Sequence, residues 1–226
     1  RTLHSADQVL RFVQARYIEL GKDLDLIGLT QRGTIDAENF PQVGVIDPNG
    51  IYLLANMPIQ SRIDLSDREH FRVHVPVGDR GLFVSKPVLG RASGKWSIQL
   101  TRRISLPGGN FGGVAVLSLD PGYFTRFYGD LRLGEHGVAT LVGLDGIARA
   151  RRAGTRNDFG TDLRKSAVLP KLIEGSASGF YTSRSPVDNV ERLLHYRRLD
   201  RYSLAVVVGL SLDEVLTNYR ITRDAL

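Results

Sequence analysis

The sequence predicts an α+β chain: a long N-terminal helix, two tandem modules each built on a roughly five-stranded antiparallel sheet flanked by helices, and an exit helix. Three observations carry this. An apolar stripe at helical spacing opens the chain, a strand–turn–strand pattern occurs twice about 95 residues apart, and a helix-start signature closes the second copy.

In the first element, Ala6, Leu10, Val13, Tyr17, Leu20, Leu24 and Ile27 alternate in steps of four and three, the spacing of a coiled-coil seam. Asp7, Gln14, Arg16, Glu19, Lys22 and Asp23 fall off that seam. Such a helix is about 35 Å long at roughly 1.5 Å per residue, and Gly21 is its weak point. The stripe can pack on the chain's own sheet or pair with a second copy of itself. The two are compatible, and the second predicts a homodimer.

The repeat follows. Residues 42–56, QVGVIDPNGIYLLAN, are two apolar runs around the turn Asp47-Pro48-Asn49-Gly50; residues 137–151, GVATLVGLDGIARAR, repeat the pattern with Asp145-Gly146. Strand candidates at 95–105 and 112–119 end in Ser118-Leu119-Asp120, and those at 190–199 and 202–210 end in Ser211-Leu212-Asp213. Gly50 and Gly146 are 96 residues apart and the two Ser-Leu-Asp triplets 93, so two independent landmarks agree on one period. Between them the first copy has a helical and loop middle at Ser66–His74 and a third strand at 81–88; the second has Thr161–Ile173 and Gly179–Ser183.

Ser211-Leu212-Asp213-Glu214 reads as a capping box, with Leu212, Val215 or Leu216, Tyr219, Thr222 and Leu226 continuing at helical spacing. The expected continuation is a transmembrane helix, with another before Arg1. The predicted organisation is a helix at 1–34, a first module at 35–130, a second at 131–210 and the outgoing helix at 211–226.

Composition narrows the function. With 42% hydrophobic residues the chain buries a real core, and no run reaches the roughly 18 apolar residues that span a bilayer. The absence of cysteine removes disulfides, thiolate metal sites and cysteine nucleophiles together. The formal charge of +6 comes from arginine more than lysine, with basic stretches at Arg149, Arg151 and Arg152 and at Arg197–Arg201. The chain's basic residues as a whole are scattered among Asp and Glu and no reading helix accompanies them, so they read as solvated basic surface and nucleic acid is not expected.

Catalytic patterns are missing too. His70 and His74 share an i, i+4 spacing that can chelate a metal, yet no flanking Glu completes a zincin motif, and His4, His136 and His195 are dispersed. No Gly-x-Ser-x-Gly elbow frames a nucleophile. Gly108-Gly109-Asn110-Phe111-Gly112-Gly113 lies between strands and has neither the Lys nor the following helix of a phosphate loop. No catalytic residue, metal or cofactor is expected.

The layout, with Asp64-Leu65-Ser66-Asp67-Arg68-Glu69-His70-Phe71, then Gly94-Lys95-Trp96-Ser97-Ile98, then Ser118-Leu119-Asp120-Pro121-Gly122-Tyr123-Phe124, resembles the double Cache domains, also called tandem PAS-like or PDC domains. The resemblance covers essentially the whole chain. It implies the periplasmic or extracellular sensor of an inner-membrane receptor, whose cytoplasmic output is a histidine kinase, a cyclic-di-GMP enzyme or a chemotaxis domain. It also implies a membrane-distal first module that holds a small-molecule ligand. The alternatives are a ligand-free interaction module and, further off, a hydrolytic enzyme.

Arg68, His70 and Phe71 fall where that family places an arginine and aromatics around the distal pocket. A guanidinium grips a carboxylate as a planar fork; the other reading pairs Arg68 with Asp64 or Asp67 as a staple. Along residues 95–101, Trp96, Ile98 and Leu100 face one side and Ser97, Gln99 and Thr101 the other, a pocket wall or a wet surface. Ser85 and Ser118 stand on neighbouring strands. Amino-acid-binding members of the family carry an aspartate on the final distal strand, where this chain has Ser118. The expected ligand is therefore a small carboxylate rather than an α-amino acid, and the expected contacts are Arg68, His70, Phe71, Ser85, Trp96, Gln99, Thr101 and Ser118.

Overall fold

The computed structural model describes residues 2–76, 78, 80–128 and 131–217. The chain divides into two compact units, Arg1–Asp120 and Pro121–Leu226.

In the first unit, α1 (Thr2–Leu20) packs on β4 (Trp96–Ser105) and β5 (Phe111–Leu119). It buries Leu3, Ala6, Asp7, Leu10 and Val13. A fully buried Leu or Val contributes about 1.5–3 kcal/mol, so this face anchors the helix to its own sheet. The helix is shorter than the apolar stripe predicts. It stops before Gly21, whose φ of 57° is left-handed, and a single 3-10 turn, Gly21–Asp23, precedes α2 (Leu26–Gln31), capped by Asp25 accepting from the Gly28 amide. Beyond Val13 the stripe divides: Leu24 is buried, while Leu20 and Ile27 are exposed.

The five-stranded sheet is completed by β1 (Gln42–Ile46), β2 (Tyr52–Ala55) and β3 (Phe83–Leu89), in the order β2-β1-β5-β4-β3, all antiparallel. One turn of helix, α3 (Glu69–Arg72), precedes β3 and faces β3 and β4.

The second unit opens with α4 (Pro121–Tyr128) against β7 (Ala148–Ala153). Its sheet adds β6 (Val138–Gly143), β8 (Arg156–Asp158), β9 (Ser178–Arg184), β10 (Glu191–Leu199) and β11 (Leu204–Ser211), in the order β8-β7-β6-β11-β10-β9. Apart from the edge strand β8, this is the order of the first sheet. Helix α5 (Val168–Glu174) buries Val168 and Leu172 against Val142, Ala148, Tyr196 and Ala205.

The repeat extends to single hydrogen bonds. Gly50 and Gly146, at φ 86° and 78°, each accept from a leucine amide across the turn, Leu65 at 2.7 Å and Leu163 at 2.8 Å. Isolated bridges join Ile51 to Asp64 and Ile147 to Asp162. Asp64 and Asp162 then each accept from the amide two residues on, at Ser66 and Arg164.

Two expectations are corrected. The basic stretch at 149–152 is not simply solvated surface, because Arg149 and Arg151 are buried, as are Arg102, Arg103 and Arg192. Each has a carboxylate or backbone oxygen to receive it, which is what lets a guanidinium leave water. The capping box at Ser211 is not closed as predicted. Glu214 instead accepts from the amide of His136 at 2.8 Å and pairs with its ring Nδ1 at 2.7 Å. Residues 212–217 are helical, and Tyr219, Thr222 and Leu226 lie outside the described residues.

Candidate functional site

A recess in the first unit lies between the α3 segment, the end of β3 and the face of β1, β5 and β4. Gln42, Tyr52, Leu65, Arg68, His70, Val88–Ala92, Gln99, Val116 and Ser118 line it. Its enclosed part is about 30 Å³, within an open hollow of about 400 Å³.

The floor is a row of polar side chains set by strand register. Gln42 on β1 stands opposite Ser118 on β5, which stands opposite Gln99 on β4. Ser118 donates to Gln99 Oε1 at 2.8 Å, and Gln99 Nε2 donates to Ser97 at 2.9 Å. Gln42 Nε2 points to the Tyr52 hydroxyl at 3.5 Å. Burial pushes the Tyr52 phenol up to about 12, so it remains a neutral donor.

The α3 segment supplies the cationic rim. Its carbonyl end is held by Arg103, whose Nη1 donates to the carbonyls of His74, Val75 and Pro76 while the guanidinium lies 4.7 Å over Phe111. Arg68 is the N-cap residue of α3 but makes no side-chain cap. Its Nη2 donates to the Leu89 carbonyl at 3.2 Å, and it has no carboxylate partner among the described residues. The staple role belongs to Arg91, which grips both oxygens of Asp67 at 2.6 and 2.7 Å and also donates to the Asp64 carbonyl. Burial, reinforced by the charges of Arg68 and His74, pulls His70 down to about 4. Near neutral pH it is an uncharged imidazole with one donor and one acceptor.

The structure brings together four of the eight expected contacts, Arg68, His70, Gln99 and Ser118. The other four lie away from this recess. Phe71, one residue round the helix from His70, points into the core and meets Phe111 edge-on at 5.7 Å. Ser85 is buried on β3 beside β4, accepting from the Gln99 amide and donating to the Lys86 carbonyl. Thr101 is taken by His74 Nε2 at 2.9 Å, which also commits one half of the His70/His74 pair. Trp96 is half-exposed at the strand end. Gln42, Tyr52 and Arg91 were not expected. Gln42 is a polar residue at the head of an apolar strand, which is a signal; Tyr52 and Arg91 enter only through folding.

Residues 121–209 match a family profile described as dCache_1-like, histidine kinase sensor domain. The crystallised extracellular domain of rpHK1S-Z16, a candidate histidine kinase, is 30% identical with a TM-score of 0.83, covering 95% of this chain and 89% of that one. The chain belongs to the dCache_1-like sensor-domain family.

Other dCache-like folds are more distant in sequence. The ligand-binding domain of the Pseudomonas aeruginosa PAO1 chemoreceptor PctC, solved with GABA, has a TM-score of 0.64 at 14% identity, over 93% of this chain and 91% of its own. That of PctB from the same organism, solved with L-Arg, has 0.56 at 18%, over 92% and 90%. Among curated proteins nothing matches the chain. As a member of this family the chain is an extracellular sensor domain. No helix among its described residues is long and apolar enough to cross a membrane.

Proposed function

We propose that the first module, residues 35–130, is the membrane-distal, ligand-binding module and that its recess takes a small carboxylate. One observation carries the reading: Arg68 stands at the recess without a carboxylate partner among the described residues, while neighbouring Asp67 is held by Arg91. A ligand carboxylate would complete Arg68 bidentately. Gln42, Gln99, Ser118 and neutral His70 would satisfy the rest of a small polar acid. No Asp or Glu is among the residues lining the recess, so an α-amino acid's ammonium would lack an ionic partner there.

In this reading the module at 131–210 is membrane-proximal, helix 1–34 pairs with a second copy, and the helix from Ser211 leads to a transmembrane segment. Ligand binding biases two arrangements of modules or protomers by its differential affinity for them. The output is a cytoplasmic kinase or cyclic-di-GMP enzyme, and the domain itself does no chemistry.

Calorimetry with acetate, pyruvate and succinate, beside a panel of α-amino acids, tests the ligand class. A carboxylate should bind, and Arg68→Ala should weaken it about tenfold or more, the scale of a lost charge-assisted hydrogen bond. Selective stabilisation by α-amino acids overturns the class. A full receptor that keeps its dose dependence with Arg68→Ala favours the ligand-free interaction module instead.

A further inference from the structure

The second unit has a recess in the corresponding place. Val138, Leu163, Ser166 and Val168 line it and occupy the positions of Gln42, Leu65, Arg68 and His70 in the first. The offset is 96 residues on the first hairpin and 98 beyond it. Its enclosed part is about 50 Å³.

Serine and valine replace the arginine and histidine of the first recess, so the helical side carries no cation here. The strands supply it instead. Arg151 on β7 and Arg192 on β10 both line this recess, at 4% and 2% exposure. Both converge on Asp188, in the turn between β9 and β10: Arg192 grips its two oxygens at 2.8 and 2.9 Å, and Arg151 Nη2 reaches Oδ2 at 2.8 Å. Arg192 also donates Nε to the His136 carbonyl at 2.7 Å. Arg151 makes no other side-chain hydrogen bond among the described residues, and its side chain is 5% exposed.

The charges do not balance. Burial works against the Asp188 charge, but hydrogen bonds from Arg192, Ser185 and Arg151 outweigh it and hold the carboxyl well below its usual range. Two guanidinium ions therefore share one carboxylate in a nearly buried place, leaving one net positive charge. A buried charge without a counter-ion is costly. Beside it, Thr140 and Ser183 offer hydroxyls, while Leu163, Val168, Leu194 and Val207 make an apolar wall.

We infer that the second unit carries its own ligand site, for a short aliphatic carboxylate. The carboxylate lies on the remaining donors of Arg151, and the alkyl body lies against Leu163, Val168 and Val207. This site is separate from the one at Arg68 and does not depend on it.

The test is calorimetric titration of the whole chain with sodium butyrate and, as a neutral isostere, butyramide. Three changes accompany it: Arg68→Ala, which disables the first recess, Arg151→Gln, and Ser183→Phe, which crowds the second recess from β9 beside Arg192, its cross-strand partner, while keeping the three charges of the ion cluster. Circular dichroism and melting curves establish that each folds. With the first recess disabled by Arg68→Ala, butyrate should still bind, about tenfold or more weaker when Arg151→Gln is added, and not measurably when Ser183→Phe is added; butyramide should bind far more weakly than butyrate. Absence of butyrate binding, or unchanged binding to both Arg151→Gln and Ser183→Phe, overturns the proposal and leaves the cluster as a hairpin staple. If Arg68→Ala alone abolishes binding, butyrate occupies the first recess; the second site then fails while the reading of the first stands.

Discussion

Asp7 on α1 and Arg102 on β4 form an ion pair out of solvent, Oδ1 to Nε 2.5 Å, with side-chain exposures of 2% and 4%. It is the polar counterpart of the Leu10 and Val13 contacts and fixes the helix on the sheet at one register. Burial would raise the Asp7 carboxyl, but Arg102, helped by Arg11, outweighs it and holds it below its ordinary value. Asp7→Asn takes from the buried Arg102 guanidinium the carboxylate that compensates its charge, so it should cost about 3–5 kcal/mol in urea unfolding. Asp7→Leu with Arg102→Met should recover most of that loss.

Acid should weaken the α3 segment before it protonates most carboxylates. His70 is held at about 4 in the folded chain against 6.5 ordinarily. Below 6.5 the unfolded chain gains a proton that the folded chain refuses, so stability falls from about pH 6.5 towards 4. The loss is on the order of 3 kcal/mol in full. Comparing unfolding midpoints of wild type and His70→Gln across that window checks this: the variant's profile should be flatter.

Tyr52 lies across Gly44 of β1. A Cβ at position 44 would stand 2.4 Å from the Leu54 carbonyl oxygen and 2.5 Å from the Tyr52 hydroxyl. Gly44→Ala should destabilise by about 1–3 kcal/mol, the cost of overpacking. It should also weaken any ligand of the first recess, because Tyr52 is displaced within it. Thr140 holds the matching position in the second unit, so Thr140→Ala should leave the first recess unaffected.

The start of the helix at 212–217 is tied by Glu214 to His136. The hydrogen bond to Glu214, joined by the charges of Glu214 and Glu135, outweighs desolvation and raises His136 above its ordinary value. A raised histidine contributes stability that is complete below 6.5 and is lost as pH rises through the folded value. An NMR titration should show His136 titrating high and returning to the ordinary range in Glu214→Gln. Hydrogen-exchange protection of 212–217 should fall across the same interval.

Most of the architecture was legible because turn chemistry and strand alternation are local. The bounds of β1, β4, β5, β9 and β10 lie within a residue or two of those expected. The edge strand β8 was missed because Arg156–Asp158 is three residues long and polar. The helix length was overread because the seam spacing survives Gly21 while the backbone does not. In the site, Arg68 and His70 share one local segment. Gln42 and Tyr52 become visible only when β1 is laid beside β5 and β2. Thr101 and Ser85 look like recess residues until their partners, His74 and the Gln99 amide, are known. Burial of Arg149 and Arg151 depended on acids at positions 145 and 188, the second of them 37 residues from Arg151.

Strand β11 ends at Ser211 and the helix begins at the next residue, with no loop between them. The strand is flanked by β6 and β10, so it is clamped along both edges. Sliding it by one residue would turn every side chain to the wrong face, so its register is fixed. Any reorientation of the sheet would therefore pass into residues 212–217 with no loop to absorb it.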